Sequence, residues 1–241
     1  SQVSPTPARN GAGRWFGHLQ LLRLLGKSER TMAWRVAEPR SGQEWMLVLP
    51  RQQPVDAAAL ERWRQSARQA SRLQHPNLAV AVDVGVKDGW PFVVYELHDS
   101  ATLVERITPR GLPGSEAAAL STQLLLALAY SHDAGAAHHD LQAHLMLVSD
   151  SGQVRLAGLG VAAEAAMRER AVQHFPAHSP GALRAQREAA ERDVLAAGVL
   201  LHGMLAGTGA LDEADTGRVI ARLPPLGREI VRLPWTTAQP I

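Results

Sequence analysis

From His18 to Leu97 short apolar runs broken by polar turns read as strands around one helical stretch, and apolar residues recur at helical spacing through much of the remainder. HLQLLRLL from His18, the turn GKSER and TMAWRVAEP read as two strands around a tight connection. GQEWMLVLP adds a third, with turn signals at Gly26 and Pro39–Gly42. Residues 56–73 switch to a helical period: Leu60, Trp63, Ala67 and Ala70 share one face, and Arg64, Arg68 and Arg72 form a stripe on another. His75-Pro76-Asn77 ends that helix, because proline cannot continue it. LAVAVDVGV and PFVVYEL are two further strands joined at Lys87-Asp88-Gly89. Residues 15–97 therefore read as five strands with one helix after the third.

The character changes after the polar link His98–Ala101. Ser115 is a suitable N-cap for a helix over 116–134, with Gly135 as its stop. From His138 to Gly160 the pattern is a tight loop, a strand at Leu145–Val148, a polar turn at Ser149–Gly152, a strand at Val154–Ala157 and a Gly-Leu-Gly break. Asp193–Ala206 is apolar on nearly all sides and too short to cross a membrane, which predicts a helix buried in a core. A further helix is expected over 212–222, followed by an irregular, proline-rich end.

Composition narrows the possibilities. The chain has 241 residues, 46% hydrophobic and 20% charged, which fits a globular protein. It has no cysteine, so disulfides and thiolate metal sites are excluded. No apolar run has membrane-spanning length, and the N-terminus lacks an apolar signal core, so the expected location is the cytoplasm. A net charge of +2 is too small to argue for nucleic acid. The basic residues are nearly all arginine: lysine occurs only at Lys27 and Lys87.

The ordered set HPN, a hinge, HHD, GLG, SPG and RDV, laid over five strands and then helices, resembles the protein-kinase superfamily, in particular bacterial Ser/Thr kinases of the eukaryotic-like type. The resemblance covers about residues 16–222. It implies an α+β, bilobal, protein-kinase-like fold: a flexible tail over 1–15, an N-lobe over 16–97 with a five-stranded antiparallel sheet and one helix, and a mainly helical C-lobe over 98–241. Helices expected after residue 222 are not evident, which implies a cut-short or unusual end.

The same resemblance places the chemistry, and much of it is missing. Kinases cradle ATP phosphates on glycine-loop amides; here Gly26 remains, with Ser28 and Thr31 in place of the other glycines. The phosphate-gripping lysine falls at Val48, and its helix carboxylate at Ser66. The metal-binding Asn falls at Leu145, and the metal-binding Asp of DFG at Gly158. Asp140 keeps the catalytic-base position, flanked by His139 and Gln142 where Arg and Lys are usual. Between Gly158 and Pro180 the only hydroxyl is Ser179, so no earlier residue is available for activating phosphorylation.

What persists by this resemblance is framework. Asp193 corresponds to the Asp that holds the catalytic loop, and His138 and Leu159 to an apolar column between the lobes. A vestigial nucleotide cleft would comprise Gly26, Ala33, Met46, Leu147 and hinge residues Tyr95, Glu96 and His98. The expectation is a pseudokinase: a catalytically inactive, protein-binding or regulatory module of a bacterial signalling protein, with no metal and no cofactor. Its partner would be a protein or an adjacent domain of the same polypeptide. The alternative is an atypical nucleotide-binding protein taking ATP without metal, or a weakly active Ser/Thr kinase using Asp140. Zinc at His132, His138, His139 and His144 is disfavoured, because no pair has the i,i+4 spacing of a helical site. The arginine stripe reads as a solvated face before it reads as a docking site. Trp34, Trp45, Trp63 and Trp90 all fall in the N-lobe, mostly as core or half-buried residues, with an exposed subset as the alternative, a protein interface.

Overall fold

The computed structural model describes residues 14–169, 179–208 and 214–223. The expectations for the tail before residue 14, for most of the activation segment and for the end after residue 223 lie outside these residues. The N-lobe sheet comprises β1 (Arg14–Phe16), β2 (Leu19–Lys27), β3 (Thr31–Ala37), β4 (Glu44–Pro50), β5 (Ala81–Lys87) and β6 (Trp90–Glu96). Its strand order is β1-β2-β3-β4-β6-β5, antiparallel throughout. The sheet thus has six strands where five were expected. Arg14 and Trp15, assigned to the tail by their Gly- and Pro-rich neighbourhood, form with Phe16 a strand that pairs with β2, and Phe16 packs edge-on against Phe92 at 5.3 Å.

Alternation along the strands sorts side chains onto two faces. Ala33, Met46, Val48, Val93 and Tyr95 face one cluster, in which helix α1 (Ala57–Ser71) contributes Trp63 and Ala67. Val36, Leu47, Leu49 and Val94 face the other, edged by half-buried Trp34, Trp45 and Trp90. Asp56 caps α1, accepting a hydrogen bond from the Ala59 N–H at 2.7 Å. Arg68 and Arg72 lie exposed, and Arg64 faces Glu61 at 3.7 Å, as a solvated stripe would.

The C-lobe contains β7 (Ser100–Thr102), α2 (Leu103–Arg106), α3 (Gly114–Asp133), β8 (Met146–Ser149), β9 (Val154–Leu156), α4 (Ala163–Glu169), α5 (Pro180–Ala206) and α6 (Thr216–Arg222). β7, β8 and β9 form a small second sheet. α3 begins two residues earlier than Ser115 implied, with Pro113 as its cap, and stops before Gly135 in the left-handed conformation. The apolar stretch Asp193–Ala206 is the second half of a 27-residue helix and is not buried all round: Val194 and Leu205 are about half exposed. Ala196, Ala197, Leu200 and Met204 of α5 meet Leu120, Leu124 and Leu128 of α3 and Met146, Val148 and Leu156 of the small sheet in one core.

Asn77 joins the two lobes. Its side-chain amide donates to Val154 O and Gln123 Oε1, both at 3.0 Å, and its carbonyl accepts the Leu156 N–H at 2.9 Å. The HPN turn therefore adds a short parallel bridge, Leu78 to Leu156, onto β9. Among the described residues, no helix is long and apolar enough to cross a membrane.

Candidate functional site

The loop before β8 is held by one buried carboxylate. Asp193, on α5, accepts the backbone N–H groups of His138 at 2.7 Å and His139 at 3.0 Å, and pairs with His132 Nε2 at 2.8 Å. Burial acts to raise the Asp193 carboxyl, but the His132 hydrogen bond and the nearby His138 and His139 outweigh it and hold it below its ordinary value. With both N–H groups satisfied, His139 is kept at φ 67°, a left-handed backbone that a non-glycine residue adopts only when its surroundings require it. His138 is fully buried and bonds Ala157 O through Nε2 at 2.8 Å, tying the loop to the Gly-Leu-Gly segment.

This loop aims Asp140 at the N-lobe, and the N-lobe closes onto it. Ser28 Oγ and Thr31 Oγ1 both donate to Asp140 Oδ2 at 2.6 Å. Ser28 Oγ also accepts the backbone N–H groups of Arg30 at 3.0 Å and Thr31 at 2.9 Å, which shapes the β2–β3 turn. Gln142 Nε2 donates to Asp140 Oδ1 at 2.8 Å and to Asp215 Oδ1 at 3.1 Å, and its side-chain Oε1 accepts the Thr216 N–H at 3.1 Å. Asp215, the cap of α6, accepts the Glu29 N–H at 2.6 Å. Around this buried centre run ion pairs. Arg30 reaches Glu169 and the His139 carbonyl, and Glu29 meets Arg218. Burial acts to lower the Arg30 guanidinium, but Glu169, Asp140 and Asp215 hold it above its ordinary value.

The turn that would cradle phosphates is thus clasped onto the residue that would serve as base. Ser28 and Thr31, read from the sequence only as lost glycines, are its donors. Asp140, which the resemblance places at the catalytic-base position, has three side-chain partners, Ser28, Thr31 and Gln142.

The remaining cleft positions are brought together and filled. Ala33 and Met46 have no exposed surface, and Leu147 has 1%. Val48, where the resemblance places the phosphate-gripping lysine, is equally buried and packs in the same cluster as Trp63, Leu145 and Tyr95. Ser66 contributes no carboxylate; its carbonyl lies against Gly160. Trp63 Nε1 donates instead to Val161 O at 3.0 Å, and Arg62 forms a two-pronged pair with Glu164 at 2.8 and 3.0 Å, docking α1 on α4. Gly158 has φ 89°, and a Cβ there would lie 3.0 Å from Leu145 Cδ1. Leu145 fills the space into which an aspartate at 158 would project.

Tyr95 closes the back of the cleft, its hydroxyl bonded to the Gly158 backbone. Burial is the larger influence and raises that hydroxyl well above its ordinary value. At the hinge, His98 Nε2 meets Glu96 at 2.8 Å. Under Gly26 lies the His144 ring: a Cβ at Gly26 would come within 2.6 Å of His144 Cβ and Nδ1. His144 is 5% exposed, so it is part of the cleft filling and not a surface ligand. Among the described residues, no cluster of three His, Asp or Glu could hold a metal ion.

A two-lobed fold, with a curled antiparallel sheet and helix joined by a hinge to a helical lobe whose HxD loop is held by an Asp of a long helix, defines a protein kinase domain. The chain belongs to that family: residues 24–227 match the protein kinase domain model. It is 27% identical over 203 residues to the serine/threonine-protein kinase PrkC of Bacillus subtilis, covering 80% of this chain and 31% of that protein. It is 34% identical over 158 residues to the serine/threonine-protein kinase PknL of Mycobacterium tuberculosis, covering 63% of this chain and 40% of that one. The chain therefore spans about a third of the length of such relatives. Among solved structures, the Mycobacterium tuberculosis PknI kinase domain superposes with a TM-score of 0.59 at 22% identity, over 85% of this chain and 78% of that one. That likeness speaks to fold alone.

Proposed function

We propose that this chain is a pseudokinase: a kinase-fold module that transfers no phosphate and acts by binding a protein partner, or a neighbouring domain of the same polypeptide, in a bacterial signalling protein. The observation that carries this reading is the clasp of Ser28 and Thr31 on Asp140, over a cleft whose Ala33, Met46 and Leu147 are already buried by the protein's own side chains. Phosphoryl transfer depends on positioning and charge neutralisation. Val48 and Ser66 offer no charge for this. The donor set does not fit a magnesium nucleotide either, since Mg²⁺ takes hard oxygen ligands and Leu145 and Gly158 supply none. Asp140 spends both carboxylate oxygens on internal hydrogen bonds, which argues against the alternative in which it acts as a base.

The expected outcome of incubation with labelled ATP, Mg²⁺ or Mn²⁺ and a general protein acceptor is no incorporation above the no-enzyme blank. Asp140→Asn should read the same as the unmodified chain. Transfer that is present in the unmodified chain and lost in Asp140→Asn would overturn the proposal.

A further inference from the structure

The residue at the clasp that this reading leaves without a role is His144. It sits on the 3-10 turn Ala143–Leu145, with its ring against Gly26 of β2. It is 5% exposed, and its Nε2 is buried with no hydrogen-bond partner. A histidine so placed is accommodated as a neutral ring; a second proton would put a charge on a buried ring whose Nε2 meets no acceptor.

The charged groups facing it are Asp140 and Asp215, which favour the protonated ring, and His138, which opposes it. From the β2–β3 turn Arg30 lies toward the same two carboxylates. α2, packed on the 3-10 turn, carries Glu105, paired with Arg23, and Arg106, paired with Glu116 and Asp150. β7 contributes no ionisable side chain. Desolvation is the largest influence on the ring and, with His138, outweighs the two carboxylates, pushing the imidazole down from 6.5 to about 4.

We propose that closure of the cleft is pH-sensitive and that His144 is its sensor: the turn carrying Ser28 and Thr31 is held on Asp140 at neutral pH and released on acidification. This rests on the occluded cleft described above, and not on the absence of phosphoryl transfer. Opening lifts Gly26 off the ring and returns it to water, where it titrates at its ordinary value. The closed state binds fewer protons than the open one, so closure is at full strength above pH 6.5 and is weakened as pH falls from 6.5 toward 4. Between pH 7 and pH 5 this linkage raises the opening constant about 20-fold.

The test is amide hydrogen exchange of residues 26–31 in the full chain at pH 7 and pH 5, corrected for intrinsic rates, with the α3 amides as a control for global unfolding. A nitrogen-detected titration of the histidines runs alongside. The unmodified chain should open about 20-fold more at pH 5 while α3 is unaffected. His144→Gln and His144→Leu should each lose that response. An equal response in both variants, equal acceleration of α3, or titration of His144 near 6.5 would each overturn the proposal. If neither variant folds, the titration and the α3 comparison on the unmodified chain still decide it. No nucleotide enters the experiment, so its failure would leave the pseudokinase reading standing.

Discussion

Replacing Asp140 by alanine is expected to lower the free energy of unfolding by about 2–4 kcal/mol, because hydrogen bonds to a charged acceptor contribute about 1.5–3 kcal/mol each and buried donors are costly to leave unmade. The donors are identified: Ser28 is 6% exposed, Thr31 is fully buried, and Gln142 is 2% exposed. Part of the loss is recovered, since the variant no longer buries a carboxylate. Urea unfolding checks this, with a shifted midpoint at constant slope as the expected form. The cost should shrink when Ser28→Ala and Thr31→Val are already present, because the three residues act as one unit. A residue kept only as a relic of catalysis would show a cost of less than about 0.5 kcal/mol, as surface substitutions do.

Asp193→Ala should cost more, about 3–5 kcal/mol, because buried donors left without an acceptor cost about 1–3 kcal/mol each. Two backbone N–H groups would lose their acceptor, and the left-handed backbone at His139 would lose what holds it. Because the Asp193 carboxyl is held below its ordinary value, its contribution is present at neutral pH and is lost as pH falls below 3.8. Thermal unfolding at pH 7 and at pH 3 separates the variant from the unmodified chain: the gap should be wide at the first and narrower at the second. A gap of the same width at both would contradict the assignment of the charge to Asp193.

The two-faced sheet, helix α1, the break at HPN and the central role of the HHD loop were legible because each rests on local periodicity or on turn chemistry within a few residues. The clasp was not. Ser28 and Asp140 are 112 positions apart, and no period connects them. From sequence alone, serine and threonine at glycine positions signal a loss; only the fold makes them donors to the loop opposite. A weak signal existed, since two small hydroxyl side chains at the tip of a loop facing a lone Asp are chemically matched. β1 was missed because three residues beside a Gly-rich stretch carry too little alternation. The first half of α5 is rich in Arg, Glu and Ala without an apolar stripe, so only its apolar second half stood out. His144 was weighed as a metal ligand because its burial depends on the close approach of Gly26, which is a tertiary feature.

Val48, Ser66, Leu145 and Gly158 stand where the kinase resemblance places charged and metal-binding groups. Met46, Leu145 and Tyr95 pack in one cluster with Val48, and the His144 ring lies against Gly26. A lysine introduced at Val48 would enter the Trp63 cluster, and an aspartate introduced at Gly158 would meet Leu145.

The most direct measurement is thermal unfolding of the chain titrated with ATP to millimolar concentration, in the presence and absence of Mg²⁺ or Mn²⁺. A ligand at 100 times its dissociation constant stabilises by about 2.7 kcal/mol, a shift of several degrees for a domain of this size. The account predicts no shift with nucleotide under either condition. Saturable stabilisation that requires the divalent metal would contradict it.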